Sequence, residues 1–192
     1  NKAQGYYKQV LQTDPNHADA LHLLGVIGQQ EGKNDQAVDL ITKAIDIKPD
    51  FPEAHCNLGL VLHDLGQLAE AVAHYHKALS LKPDYAEVYN NLGITLRDLG
   101  KVDEAVPCYH KAITIEPDFA EAHCNLGLAL HELGNLDGAM VHHNKALSLK
   151  PDFAEVHNNL GNTLKKLGQL NEATSSYRKA LNIRGDYAEA HN

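Results

Sequence analysis

The sequence predicts an all-α protein, an α-solenoid of antiparallel helix pairs. The first observation is a period of 34 residues that several columns of glycine, proline and alanine keep over five copies. The second is that each period holds two segments with apolar residues at helical spacing. The third is a composition rich in Ala, Leu, Lys, Glu and His and free of Trp, which favours helices over strands. The periodic positions include Gly25, Gly59, Gly93, Gly127 and Gly161, and Pro15, Pro49, Pro83, Pro117 and Pro151.

The first helix of each period is predicted from its start and stop signals. Asp84 and Glu87 stand three residues apart, as in a capping box with Asp at the N-cap. Apolar residues then follow at helical spacing, and Gly100 is the expected left-handed residue that ends the helix. The same capping pattern recurs at Asp50/Glu53, Asp118/Glu121, Asp152/Glu155 and Asp186/Glu189.

The second helix is predicted to run from about Asp103 to Ile113, and Pro117 closes it before the next Asp opens a new unit. Small residues repeat at the positions of Ala105 and Ala112. We expect these small residues to let the two antiparallel helices approach closely.

The motif in these residues resembles the tetratricopeptide repeat (TPR) family. The matching residues in one copy are Tyr89, Leu92, Gly93, Ala105, Tyr109, Ala112 and Pro117. The resemblance covers essentially the whole chain and implies a right-handed superhelix whose first helices line a concave face. The family's Trp position is held here by Leu21, His55, Tyr89, His123 and His157. We expect the three histidines to pack between helices in place of Trp.

The repeat divides the whole chain, 1–192, into one solenoid. Residues 1–17 are predicted to be the second helix of a partial repeat, and 188–192 the start of a further one. Between them lie five full repeats, 18–51, 52–85, 86–119, 120–153 and 154–187.

A column of asparagines is the most suggestive feature of the predicted concave face. If each repeat is numbered from the residue equivalent to Ala86, position 6 is Asn in four consecutive copies, Asn57, Asn91, Asn125 and Asn159. A carboxamide has both donors and an acceptor and can bind the main chain of an extended peptide. The Asn-Asn-Leu-Gly pairs also resemble the TPR arm of the O-linked N-acetylglucosamine transferases, which carries a similar ladder. The alternative is that Asn is simply common at this position in TPR sequences.

Other polar side chains are expected to flank the asparagines in a peptide-binding groove. They are Asn90 and Asn158 at position 5, Arg97, His63 and His131 at position 12, and Asp64, Asp98 and Glu132 at position 13. The acids at position 13 would favour a basic or Ser/Thr-rich peptide, although a solvated surface also explains each of them. Lys165 and Lys166 reverse the charge in the last copy. The acidic residues at position 2 exclude a clamp for chaperone carboxylate tails, which requires Lys or Arg there.

Several classes of function are not predicted. Acidic residues outnumber basic ones by 25 to 17, giving a net charge of −8, which argues against a nucleic-acid partner. No apolar run approaches the ~20 residues of a membrane helix, so no membrane insertion is expected. Three cysteines form no disulfide framework and indicate a reducing, cytoplasmic location. No metal site, cofactor or catalytic residue is predicted, because no metal-ligand spacing, phosphate loop or nucleophile elbow is present.

The sequence thus predicts a non-catalytic protein–protein interaction scaffold that binds an extended peptide or partner segment in its concave groove. Two alternatives stay open at this point. One is a substrate-recruiting arm of a larger glycosyltransferase- or sulfotransferase-type enzyme, which rests on resemblance. The other is a structural scaffold that self-associates end to end.

Overall fold

The structure, a computed structural model, describes residues 2–185, and within them it contains eleven α-helices and no strand. The prediction of an all-α solenoid of helix pairs is confirmed. The helices are α1 (Lys2–Thr13), α2 (Ala18–Gln30), α3 (Asn34–Ile47), α4 (Pro52–Asp64), α5 (Leu68–Leu81), α6 (Ala86–Asp98), α7 (Val102–Ile115), α8 (Ala120–Glu132), α9 (Leu136–Leu149), α10 (Ala154–Lys166) and α11 (Leu170–Arg184).

The described helices fall into two compact units, α1–α6 up to residue 99 and α7–α11 from residue 100 onward. In the first unit α2 packs on α3 and α4 on α5, while α1 contacts α2 and α6 contacts α5. In the second unit α8 packs on α9 and α10 on α11, while α7 contacts α8. Each pair consists of the first and second helix of one repeat. Within residues 2–185, no helix combines the length and the apolar content that a membrane span requires.

Small residues bring the paired helices together, as the sequence predicts. The two alanines that recur on each second helix are buried, and Ala71 and Ala78 on α5 have no exposed surface. A Cβ built on Gly59 of α4 would lie 2.6 Å from Cε1 of Tyr75 on α5. Glycine is therefore required there by the close approach of a rigid ring. The same contact recurs in the second unit between Gly161 and Tyr177.

The first helices end in the left-handed glycine that the sequence predicts. Gly66 has a φ of +75°, and Gly32, Gly100, Gly134 and Gly168 adopt similar values. After α4 the Gln67 N–H donates to the Leu62 carbonyl at 2.8 Å, and the Gly66 N–H donates to the His63 carbonyl at 2.8 Å. These two bonds form a Schellman motif, which satisfies carbonyls that the helix end leaves without partners.

The predicted capping box is wrong, because each first helix begins one residue later than expected. Helix α6 starts at Ala86 with Tyr85 at the N-cap, and no side chain of that residue caps the helix. Asp84 lies one residue outside. The aromatic ring instead packs under the lysine that follows the preceding helix, with Lys82 Nζ 4.2 Å from the Tyr85 ring centre. Phe51, Phe119 and Phe153 occupy the same N-cap position. The pair Asp186/Glu189 and the predicted repeat start at 188–192 lie outside the described residues.

Candidate functional site

The asparagine column lies on the first helices and links neighbouring ones. Asn57 on α4 donates from Nδ2 to His22 Nε2 on α2 at 2.7 Å. Asn159 on α10 donates from Nδ2 to Cys124 Sγ on α8 at 3.8 Å. Asn91 on α6 is hydrogen-bonded to Cys56 on α4. In each case position 6 of one repeat contacts position 5 of the repeat before it.

This structural role of the asparagines was not anticipated from the sequence. Each carboxamide carries two N–H donors and an acceptor oxygen, and the contact to the neighbouring helix uses one N–H. No hydrogen bond within the described residues engages the Oδ1 atoms of Asn57, Asn91 and Asn159. All four asparagines of the column, including Asn125 on α8, are half-buried. The outer edge of the carboxamide therefore remains available to a ligand at Asn57, Asn91 and Asn159.

The acids of position 13 also contact the preceding first helix. Gln29 donates from Nε2 to Asp64 Oδ2 at 2.9 Å. His63 Nε2 lies 2.9 Å from Asp98 Oδ2, and Arg97 Nη2 lies 3.5 Å from the other oxygen of the same carboxylate. Both carboxylates remain partly exposed. These contacts link neighbouring first helices, and the two carboxylates also make this surface of the first unit acidic.

In the last repeat a cation replaces this acid. Lys166 holds position 13 on α10, and His131 on α8 turns its Nδ1 to Thr163 Oγ1 at 2.9 Å. Because the Thr163 hydroxyl donates to the Asn159 carbonyl at 2.9 Å, the imidazole is the donor. Burial and the nearby Lys166 lower the pKa of His131. Glu132 lies beside His131 at the end of α8.

Position 5 does not line the surface as expected. Asn90 and Asn158 are buried, with 5% and 6% of their surface exposed. Cys56 and Cys124 hold the same position and are buried as well. The reason is that position 5 faces the next first helix, as the contacts of the two cysteines with Asn91 and Asn159 show. Asn90 and Asn158 thus offer little surface to a ligand.

A small recess opens beside Asn91 in the first unit. It encloses about 120 Å³ and is lined by Leu60, His63, Tyr75, Asn91, Ile94 and Thr95. Tyr75 belongs to a second helix, but its ring passes Gly59 and its hydroxyl is hydrogen-bonded to Thr95. The recess thus combines apolar walls with a carboxamide and an imidazole at its edge.

On α9 of the second unit His143 takes the place of Tyr75, whereas α11 keeps a tyrosine, Tyr177, at this position. His143 packs against Gly127 and has no exposed surface, and neither ring nitrogen has a hydrogen-bond partner among residues 2–185. Burial lowers the pKa of His143 to about 4, with smaller contributions from His131 and His142, so the ring is neutral at pH 7. The side chain beneath the first helix therefore differs in size and polarity between repeat 52–85, with Tyr75, and repeat 120–153, with His143.

The chemistry of this surface is hydrogen bonding and packing. Within the described residues, no three His, Cys, Asp or Glu side chains are placed to hold a metal ion. Burial raises the pKa of the Cys56 thiol to about 12, which makes it a poor nucleophile. His55, His123 and His157 are buried between helices, as predicted.

Comparison with known families decides the assignment. A sequence profile described as "TPR repeat" matches residues 29–66, 59–96, 93–134 and 127–168, and a second, "Tetratricopeptide repeat", matches 154–190. The chain belongs to the tetratricopeptide repeat family. The comparison with curated protein sequences gives no match.

Several solved structures share the fold. The TPR protein YrrB, described as having an unusual peptide-binding site, is 20% identical with a TM-score of 0.75 over 96% of this chain and 95% of its own. PilF of Pseudomonas aeruginosa is 27% identical with a TM-score of 0.82 over 90% of this chain and 79% of its own. A thermophilic TPR protein of Thermus thermophilus is 26% identical, with a TM-score of 0.72 over 91% of this chain and 95% of its own. TPR proteins bind protein or peptide partners, and this chain is a TPR interaction scaffold in that general sense.

Proposed function

We propose that this TPR scaffold binds extended peptide segments along its first helices, with Asn57 and Asn91 as main-chain contacts in the first unit and Asn125 and Asn159 in the second. The observation that carries the proposal is the column itself, one half-buried carboxamide at the same place on α4, α6, α8 and α10. The neighbouring helix uses an N–H of the carboxamide and fixes its orientation. At Asn57, Asn91 and Asn159 the open oxygen can then accept a peptide N–H at little cost in side-chain entropy.

The recess beside Asn91 would provide side-chain selection. Its walls of Leu60, Ile94 and the Tyr75 ring are apolar, and about 120 Å³ suits a small aliphatic side chain. An extended peptide directs alternate side chains to the same side, so one residue can enter the recess while its neighbour faces solvent. We therefore expect a preference for a small aliphatic residue at one position of the ligand.

Charge would bias the ligand further in the first unit. Glu53 and Glu87 on α4 and α6 are exposed, and Asp64 and Asp98 at the ends of these helices are partly exposed. A peptide with Lys or Arg residues would be attracted to this acidic surface. This attraction would weaken with added salt because the carboxylates are exposed.

The test is selection of peptides from a displayed random library against the full chain, followed by affinity measurements on variants. Asn91→Ala removes the carboxamide beside the recess and is expected to weaken a selected peptide about 5- to 30-fold, the effect of losing one or two hydrogen bonds. The matched control is Asn144→Ala on α9, where the side chain is exposed and lies outside the asparagine column. Failure to enrich any peptide, or equal affinities for the two variants, would contradict the proposal.

A further inference from the structure

The first and second helices of three repeats meet at one equivalent pair of positions. In two copies both residues are histidines, His55 with His74 and His123 with His142. In the last copy His157 is kept, but Ser176 replaces the second histidine. This difference changes the space between the helices.

The two histidine pairs have the same hydrogen-bond arrangement. The Nδ1 atoms of His55 and His74 are 3.1 Å apart, and His55 Nε2 lies 3.2 Å from the Pro49 carbonyl oxygen. Because a carbonyl only accepts, His55 carries its proton on Nε2 and its Nδ1 is the acceptor. His74 must therefore donate its Nδ1 proton.

The second unit repeats this arrangement at nearly the same distances. His123 Nδ1 lies 3.0 Å from His142 Nδ1, and His123 Nε2 lies 3.1 Å from the Pro117 carbonyl oxygen. The ring centres of this pair are 5.3 Å apart. This distance exceeds the Nδ1 separation by about two ring radii, so both Nδ1 atoms lie close to the line that joins the ring centres. The two nitrogens thus face each other head-on, as a shared N–H requires.

His157 corresponds to His55 and His123, but serine replaces the histidine that would donate to its Nδ1. Its Nε2 lies 3.0 Å from the Pro151 carbonyl oxygen, so its Nδ1 is again the acceptor. The Ser176 hydroxyl donates to the Glu172 carbonyl of its own helix at 3.0 Å. Both side chains are more than nine-tenths buried, at 8% and 7% exposure. No group in the described part of the chain donates to His157 Nδ1.

A cavity occupies the place of the missing imidazole. It has a volume of about 610 Å³ between α9, α10 and α11, within the range of small-molecule sites. Leu147, Leu160 and Ile183 form its apolar walls. The Ser148 hydroxyl at its edge donates to the Lys145 carbonyl at 2.7 Å, so this residue also presents only lone pairs. Asn144, Lys179 and Asn182 also line the cavity and carry N–H donors. A ligand group that faces His157 Nδ1, however, must be a donor.

We propose that this cavity is a binding site for a nitrogen heterocycle with a ring N–H, of which imidazole is the smallest example. The ring N–H donates to His157 Nδ1, as His74 and His142 do in the other copies, and the flat faces of the ring contact the apolar walls. The heterocycle is either a free small molecule or the side chain of a histidine on a partner. None of the asparagines of the column lines this cavity, so heterocycle binding can be tested independently of peptide binding.

The test uses imidazole itself as the probe, at pH 8, where it is largely neutral. Ring signals of His157 in the NMR spectrum of the full chain are expected to shift saturably. Ser176→His restores the histidine pair of the other copies and is expected to weaken this binding at least tenfold. The compound 1-methylimidazole has similar size but no N–H, and we expect at least tenfold weaker binding. Equal responses of the two proteins, or of the two compounds, would overturn the proposal.

A second variant creates the site elsewhere. His142→Ser converts the preceding repeat into the composition of the last one, and the ring signals of His123 should then respond to imidazole as well. The far-UV circular dichroism spectrum shows whether this variant is folded. If it is not, the titrations of the unchanged chain and of Ser176→His still test the proposal. N-acetylhistidine methylamide distinguishes the two sources of the ring. Binding as strong as that of imidazole assigns the site to a partner's histidine, and binding of imidazole alone assigns it to a free heterocycle.

Discussion

Replacement of Gly59 by alanine tests how closely the paired helices approach. The new Cβ would lie 2.6 Å from Cε1 and 2.9 Å from Cδ1 of the Tyr75 ring, well inside the ~3.5–4 Å of a normal carbon contact. The ring is only 1% exposed, and its hydroxyl is held by the hydrogen bond to Thr95. Overpacking of this kind costs about 1–3 kcal/mol.

Two further terms decide the net effect of Gly59→Ala. Moving the ring would also weaken the hydrogen bond of Tyr75 to Thr95, at a cost of about 1 kcal/mol. Against this, replacing glycine by alanine inside a helix gains about 1 kcal/mol. We therefore expect a net loss of about 1–3 kcal/mol in the free energy of unfolding.

Gly28→Ala is the matched control. It makes the same chemical change on α2, but the nearest atom to its new Cβ is Ala37 Cβ at 3.7 Å, an ordinary contact. Other repeats carry leucine at this position, for example Leu62. This variant should gain about 0.5 kcal/mol. Urea unfolding followed by circular dichroism measures both variants, and equal stabilities would refute the packing argument.

Three other predictions concern the histidines, the helix ends and the tyrosines. Burial and the neighbouring His123 and His110 lower the pKa of His142 to about 4 in the folded protein. Below pH ~6.5 this histidine therefore takes up a proton in the unfolded chain while it stays neutral in the folded one, and acid favours unfolding. This ring should thus contribute a fall of about 1–2 kcal/mol in stability from pH 7.5 to pH 5, after allowance for partial exposure, in addition to the fall from His143, whose pKa is also lowered to about 4. In urea unfolding at the two pH values, His123→Leu/His142→Leu should therefore lose about 1–2 kcal/mol less than the parent chain. Gly66→Ala, at a φ of +75°, should lose about 1–2 kcal/mol in thermal unfolding, whereas Gly5→Ala should not. Tyr75→Phe should cost about 1 kcal/mol in urea, more than Tyr177→Phe, whose hydroxyl bond is exposed.

The repeat made much of the fold predictable. The glycine after each first helix is required by a left-handed turn, and the alanines along each second helix are required by a close contact. Both are local conditions that can be recognised in each repeat. The N-cap register was missed for a local reason too. An aspartate three residues before a glutamate resembles a capping box, but the Tyr85 side chain between them packs under Lys82 and takes the cap position.

The contacts of the candidate site depend on the geometry between repeats. Asn57 meets His22, and Asp98 meets His63, each at a separation of one period plus one residue. The one-residue offset depends on how each first helix is rotated and shifted relative to the one before it. The sequence pattern within one repeat does not determine this arrangement. A search for complementary columns offset by one residue is the signal that would have found these pairs.

The cavity beside His157 shows a further limit. Its position follows from a single difference between copies, Ser176 in place of histidine, which the sequence contains. What the sequence does not contain is the contact between a first helix and a second helix at a separation of 19 residues. Only the packed structure shows that these two columns share one hydrogen bond.

The most direct test of the proposed function is the NMR spectrum of the asparagine side chains during titration with a selected peptide. Each carboxamide gives its own pair of N–H signals. If the column binds the peptide main chain, signals of Asn57, Asn91, Asn125 and Asn159 should shift saturably with the peptide. The exposed Asn144 should remain unchanged. Saturable binding that leaves the four carboxamides unmoved would contradict the account.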